Sequence, residues 1–181
     1  MRLIIRPAVA ADAPALAELY GWHVLNGVGS FEETAPDAKT MAERMAAIQA
    51  WGLPYHVAER GGVLLAMAYA GPFRLRPAYR HTVEDTVYVA PGLQRQGLGR
   101  IVLASVIEAC EALGLRQILG LIGDSGNAGS IGLHAALGFT PVGTMTGVGY
   151  KAGRWLDVEI MQKSLNGGID RPPDVEGLRI G

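Results

Sequence analysis

Cysteine is almost absent. Cys110 stands alone, so no intrachain disulfide can form. It falls on an expected helix and reads as a small, partly buried hydrophobe. Long apolar runs are also missing. The opening Met-Arg-Leu-Ile-Ile-Arg-Pro is too short an apolar stretch for a signal peptide. No segment approaches the roughly 18 apolar residues of a membrane span. A charge excess is lacking too: 16 Lys and Arg stand against 17 Asp and Glu, for a net charge of -1. Such a balance gives no global attraction for nucleic acid or an anionic membrane. Internal repeats and low-complexity tracts are not found. The expectation is a cytoplasmic chain without nucleic-acid or membrane partners.

What is present is a core. With 181 residues, 49% of them hydrophobic, the chain fits one domain of ordinary size. Arg2 to Ala8 reads as a first strand. Asp12 and Pro14 then open a helix with Leu16, Leu19 and Tyr20 on its apolar face. Asn26 to Pro36 reads as a loop. Asp37 opens a second helix, which Gly52 and Pro54 end. Two strands flank the hairpin signal Arg60-Gly61-Gly62, and a basic, aromatic loop runs from Phe73 to Arg80. A strand over Thr82–Val89, a helix over Gly97–Leu113 and a buried strand over Gln117–Ile122 follow. Asn127–Leu137 is a short helix. Phe139–Gly143 and Trp155–Gln162 are the last strands, joined through Gly147–Lys151. Hairpin-linked and helix-linked strands together predict an α/β fold with a mixed sheet flanked by helices. The domain is expected over 1–165. Residues 166–181 are Gly/Pro-rich without apolar period, and read as a tail that is mobile or docked on a neighbour.

The chemistry concentrates between Thr82 and Ile101. Gln94-Arg95-Gln96-Gly97-Leu98-Gly99-Arg100 joins a strand to a helix. Its glycines allow a sharp turn and close approach. The helix start offers unpaired N–H groups and the positive end of the dipole, which suits a phosphate. The bland alternative is a turn with glycines for packing. A dinucleotide fingerprint is incomplete, because Val102 stands where the third glycine belongs. Glu84 sits mid-strand, where propensity disfavours it, as a base or as a solvent-facing residue. Alternation sends the neighbouring Asp85 to the opposite face.

The Gln94-x-x-Gly97-x-Gly99 loop after a strand resembles the acetyl-coenzyme A loop of the GNAT N-acetyltransferase superfamily. Asn127-x-x-Ser130-x-x-x-His134-x-x-x-Gly138-Phe139 resembles its next helix. Longer strings are similar to the phosphinothricin and methionine sulfoximine acetyltransferases. These are Ala70-Gly71-Pro72, Thr82-Val83-Glu84, Thr86-Val87-Tyr88-Val89, Leu133-His134-x-Ala136-Leu137-Gly138 and Gly149-Tyr150-Lys151-x-Gly153-x-Trp155-x-Asp157-Val158. The resemblance spans about residues 3 to 165 and implies an acetyltransferase fold with a splayed sheet.

It further implies acetyl-CoA as cosubstrate and no metal. Pyrophosphate is expected on Gln94, Arg95, Gln96, Gly97, Leu98, Gly99 and Arg100, with pantetheine along the backbone of Val87, Tyr88 and Val89. Asn127 is a cofactor contact, a helix N-cap, or both; Ser130 lies on the same side. Glu84 is the implied base, aided by burial or a relaying water. His134 stands where many superfamily members carry a thiolate-protonating tyrosine. Its readings are catalysis, substrate contact or structure. Arg74, Arg76 and Tyr79 occupy the family's acceptor-binding loop, and two guanidinium groups there can clamp an anion. The family often has lysine at the first of these places. Phe31 is similar to an aromatic wall of the same pocket, with core packing as the alternative. The expected reaction is direct transfer to the α-amine of a small amino-acid-like acceptor. Another small amine, a protein N-terminus or a non-catalytic CoA-binding module are the alternatives. The resemblance also implies a homodimer.

Overall fold

The structure is a computed structural model, and it describes residues 2–180. Seven strands form one sheet: β1 (Leu3–Pro7), β2 (Tyr55–Arg60), β3 (Val63–Pro72), β4 (Thr82–Val89), β5 (Gln117–Gly123), β6 (Thr140–Lys151) and β7 (Arg154–Ser164). Their spatial order is β1-β2-β3-β4-β5-β7-β6. Strands β4 and β5 run parallel, and the other neighbours are antiparallel. Four helices flank the sheet: α1 (Ala13–Asn26), α2 (Ala38–Ala50), α3 (Leu98–Ala112) and α4 (Ala128–Ala136). The expected mixed fold is therefore what forms. Among the described residues no helix is long and apolar enough to cross a membrane.

Local chemistry explains most boundaries. Gly61 and Gly62 both take positive φ in the β2–β3 hairpin, as that tight turn requires. The Asp37 carboxylate accepts from the Thr40 N–H at 2.7 Å and starts α2. Asp12 behaves differently from the expected helix cap. Its carboxylate accepts from the Val9 N–H and from both terminal nitrogens of Arg6, so a 3₁₀ turn precedes α1.

Two apolar layers cover the sheet. Leu98, Val102, Leu103, Val106 and Cys110 of α3 pack on Ala66, Ala68, Val83 and Ile118. On the other face Leu16, Leu19, Val24, Met41 and Met45 of α1 and α2 pack on Tyr55, Val57 and Met67. Burial of several large side chains per layer, at about 1.5–3 kcal/mol each, supplies the main driving force.

One feature of the register creates the functional opening. Strands β4 and β5 pair only over Thr82–Asp85 against Gln117–Gly120. Beyond that point β4 stays with β3 as far as Val89, and β5 stays with β7 as far as Gly123. The sheet is split there, and one edge of β4 is left without a strand partner.

Two expectations need correction. Gly147–Lys151 is not a connector: β6 runs through it to Lys151, with register shifts, and the turn lies at Ala152-Gly153. An edge strand that tolerates glycine and irregular pairing does not show a clean apolar alternation. The C-terminal tail folds back on its own chain. The buried Arg116 donates to the carbonyls of Gly168 at 2.9 Å and Arg171 at 2.7 Å, and Leu178 enters the α3-side core.

Candidate active site

The split between β4 and β5 opens into a cleft of about 1130 Å³. Its entrance on the α3 side is the loop predicted for phosphate. Gly97 has φ +80 at the start of α3, a conformation glycine adopts without penalty, and Arg95 also takes a positive φ. No side chain caps this helix; the first backbone bond inside it is Ile101 N–H to the Gly97 carbonyl. The amides of Leu98, Gly99 and Arg100 are therefore open to an anionic guest. Gln94, Arg95, Gly97, Leu98, Gly99 and Arg100 line the cleft, whereas Gln96 is exposed outside it.

Backbone polarity along β4 follows from alternation. Ala90 N–H donates to Leu65, and Phe73 N–H donates to Thr82, so the even-numbered residues bond to β3. Val87 and Val89 thus turn their N–H and C=O groups toward the split. Tyr88, expected to offer backbone groups as well, has them committed to β3. Its ring packs between Tyr20 and His23. Nε2 of His23 lies 2.7 Å from the Val89 carbonyl, which can only accept, so Nε2 carries the proton. Burial keeps His23 below the usual imidazole pKa, consistent with a neutral ring. Val87 N–H and C=O and Val89 N–H remain as the free groups of the strand.

Glu84 and Asp85 lie at the vertex of the split and leave β4 on opposite faces, as alternation requires. Glu84 is half-buried on the α1/α2 side and lines the cleft. Burial raises its pKa above the usual carboxylate range; Arg74 opposes the shift and Asp85 adds to it.

Asp85 is buried, and its Oδ2 lies 3.0 Å from Nε2 of His134 on α4. Nδ1 of His134 lies 2.7 Å from the Ser130 carbonyl and must therefore donate to it. Both ring nitrogens are engaged. Burial works against charge on the ring, but the hydrogen bond and charge of Asp85 and the Ser130 carbonyl hold the imidazole above its ordinary pKa. Of the three readings of His134 this geometry fits the structural one, because both ring nitrogens already have partners, while the residue also lines the cleft. A Cβ on Gly120 would come within 2.7 Å of the His134 ring, so the bare backbone of β5 is what admits the pair.

Asn127 meets its bland reading. Its Oδ1 accepts from the Ser130 N–H at 3.2 Å and caps α4, and both residues also line the cleft.

Phe31 forms part of the wall, seated on glycine backbone. Added Cβ atoms on Gly149 and Gly123 would lie 2.3 and 3.0 Å from its ring. Its segment is fastened from two sides. The buried Lys151 ammonium donates to the carbonyls of Val24 at 2.8 Å and Ser30 at 2.7 Å. Tyr20 donates to Glu32 at 2.7 Å, and Arg44 meets both oxygens of that carboxylate.

Arg74, Arg76 and Tyr79 do not line the cleft; all three are exposed on the loop before β4. Arg74 lies over the Phe73 ring, 4.5 Å from its centroid, and Phe73 meets Tyr79 edge-on. Arg74 still reaches the site electrostatically, through Glu84. Sequence reasoning missed His23, Lys151 and the partnership of Asp85 with His134. A lone histidine or lysine in sequence carries no sign of the carbonyls it will meet.

A sheet split beside an open helix start, with bare glycine contacts, is a recognisable architecture. The profile of the Acetyltransferase (GNAT) family matches residues 16–139. The chain belongs to the GNAT family. Among its relatives, the phosphinothricin N-acetyltransferase of Alcaligenes faecalis is 48% identical over 163 residues, covering 90% of this chain and 83% of the relative. The L-methionine sulfoximine/L-methionine sulfone acetyltransferase of Salmonella typhimurium is 38% identical over 164 residues, covering 91% and 95%. A phosphinothricin acetyltransferase from Sinorhizobium meliloti, crystallised with AcCoA, superposes with a TM-score of 0.92 at 42% identity. The match covers 99% of this chain and 96% of that one. The chain is thus an acyltransferase of the GNAT family.

Proposed function

We propose that this GNAT enzyme transfers acetyl from acetyl-CoA to the α-amine of a small amino-acid-like acceptor of the phosphinothricin or methionine sulfoximine/sulfone type. The observation that carries the reading is Glu84: a half-buried carboxylate with raised pKa, at the vertex of a cleft whose other end is an open helix N-terminus.

The site's groups fit acetyl-CoA. The amides of Leu98, Gly99 and Arg100, with Arg95 and Arg100, suit its pyrophosphate. The free groups of Val87 and Val89 suit the pantetheine amides, as an added strand would. When bound, acetyl-CoA supplies an acyl thioester. Asn127 and Ser130 also line the cleft.

Glu84 takes the proton of the incoming ammonium, directly or through a water, and its raised pKa makes it a better base than an ordinary carboxylate. Val87 N–H points into the split, where it can stabilise the oxygen that gains charge during attack. The protons balance: an ammonium gives up two protons on becoming an amide, the first to Glu84, which passes it to solvent, and the second to the departing thiolate. His134, sharing its proton with Asp85, fixes α4 and the floor beneath this end.

Arg74 and Arg76 hold the acceptor's anionic groups from the loop before β4, with Tyr79 beside them and Phe31 as the apolar wall. Such a cationic rim disfavours a polyamine acceptor. We further propose a cytoplasmic homodimer. Support for the dimer comes from β6 at the sheet edge, where Val142, Val148 and Tyr150 are exposed beside Trp155 of β7, itself 68% exposed.

A thiol-release screen tests the reading. Phosphinothricin, methionine sulfoximine and methionine sulfone should release CoA well above common amino acids and polyamines. Calorimetric CoA binding with no thiol release across the panel would instead leave a non-catalytic CoA-binding module.

A further inference from the structure

The C-terminal segment, without period in sequence, is bound at both ends of its path. At the near end, Arg116 reaches it from the start of β5: the side chain is 5% exposed, donates to the carbonyls of Gly168 and Arg171, and faces Asp174 at 3.9 Å. Asn166 donates to the carbonyls of Glu111 at 2.8 Å and Leu115 at 3.0 Å, closing the turn after α3. At the far end, Leu178 N–H donates to the Arg80 carbonyl at 2.8 Å, and its side chain is buried in the α3-side core.

That far contact is tight. Gly177 has φ +76, and a Cβ there would lie 2.6 Å from the Arg80 carbonyl oxygen and 2.7 Å from the His81 ring. Arg80 and His81 are the last residues before β4. Arg80 also closes the turn of the preceding loop, with its N–H and Nε both directed to the Pro77 carbonyl. The His81 carbonyl accepts from Arg116 N–H at 2.9 Å and Gln117 N–H at 3.1 Å. The Arg80–His81 backbone is therefore held between β5 and the tail. Seven residues or fewer separate it from Arg74, Arg76 and Tyr79.

We propose that residues 166–180 act as a strap that sets the position of the acceptor loop 73–80, with Gly177 and Leu178 as positioning residues and Arg116 as the peg. The inference rests on the reading of that loop as the acceptor's binding element. Its consequence is specific. The polar contacts of the strap fall at the last turn of α3, at Arg116 and at Arg80, so it governs the acceptor side and leaves the acetyl-CoA side alone. A displacement of about 1 Å in a positioning element can cost up to about a hundredfold in efficiency.

The test compares three variants with the natural enzyme, by steady-state kinetics with phosphinothricin, calorimetric CoA binding and thermal unfolding. In Gly177→Ala the new Cβ pushes the Arg80 backbone. A chain ending at residue 172 keeps both Arg116 hydrogen bonds and removes the far contact, along with Asp174 and with Val175 beside Gly114, so it serves where Gly177→Ala folds poorly. Arg74→Ala tests the loop itself. The strap predicts a rise of about tenfold or more in acceptor KM for the first two. It also predicts CoA affinity within about twofold of the natural enzyme and a smaller change in kcat. Unchanged acceptor KM in both, with only a lowered Tm, overturns the strap while Arg74→Ala still raises KM. Unchanged acceptor KM in Arg74→Ala overturns the loop reading and the strap with it.

Discussion

His134 and Asp85, 49 positions apart in sequence, meet at 3.0 Å beneath the vertex of the split sheet, with the second nitrogen of the ring bound to the Ser130 carbonyl. The contact ties α4 to β4 at the last residue pair that β4 and β5 share. One proton is shared between two buried groups, so neither partner is replaceable alone. Asp85→Ala should destabilise by about 3–5 kcal/mol, the cost of leaving a buried charge partner uncompensated. Gly120→Ala should weaken the same pair through its 2.7 Å clash with the ring. Urea unfolding measures both.

The pH dependence of that stability has a definite sign. His134 has a folded pKa above its unfolded value, and burial raises Asp85 as well. A group raised on folding binds protons more tightly in the native state. Its contribution is complete below the unfolded pKa, about 6.5 for histidine, and is lost as pH rises through the folded value. The natural enzyme should therefore lose stability toward alkaline pH faster than Asp85→Asn. Unfolding free energies of the two across a pH series give the comparison.

At the cosubstrate end, Gly97→Ala places a side chain at φ +80, with a strain of about 1–2 kcal/mol. CoA affinity should fall by roughly five- to thirtyfold if the loop yields, with acceptor KM nearly unchanged. Calorimetry with CoA measures the first and steady-state kinetics the second.

At the acceptor end, Gly149→Ala should act oppositely. Its Cβ would lie 2.3 Å from the Phe31 ring, so Phe31 must leave its seat. Acceptor KM should rise by about tenfold, the loss of one well-packed apolar contact, while CoA affinity holds. Kinetics with both substrates varied separates the two.

The sequence exposed the site through local rules and hid what depends on distant partners. Glu84 stood out because a strand interior disfavours it, and Gly97 because a helix start beside a strand is a phosphate seat. Alternation placed Asp85 on the face opposite Glu84, which the pairing with His134 bears out. No pattern could say that His134 would be waiting there. Lys151 looked like part of a connector because glycines interrupt the strand around it; its carbonyl partners lie on and just after α1. The tail had no apolar period because it is held by Arg116 and backbone carbonyls as much as by the Leu178 side chain.

The role of Glu84 is most directly tested by the pH profile of kcat/KM for the natural enzyme and Glu84→Gln, with CoA affinity measured alongside. The account predicts an acid limb in the natural enzyme, with activity lost as pH falls through a pKa above the ordinary glutamate range. In Glu84→Gln that limb disappears, kcat/KM drops by about 10²–10⁴, and CoA affinity is unchanged. Near-normal turnover of Glu84→Gln at neutral pH would contradict it.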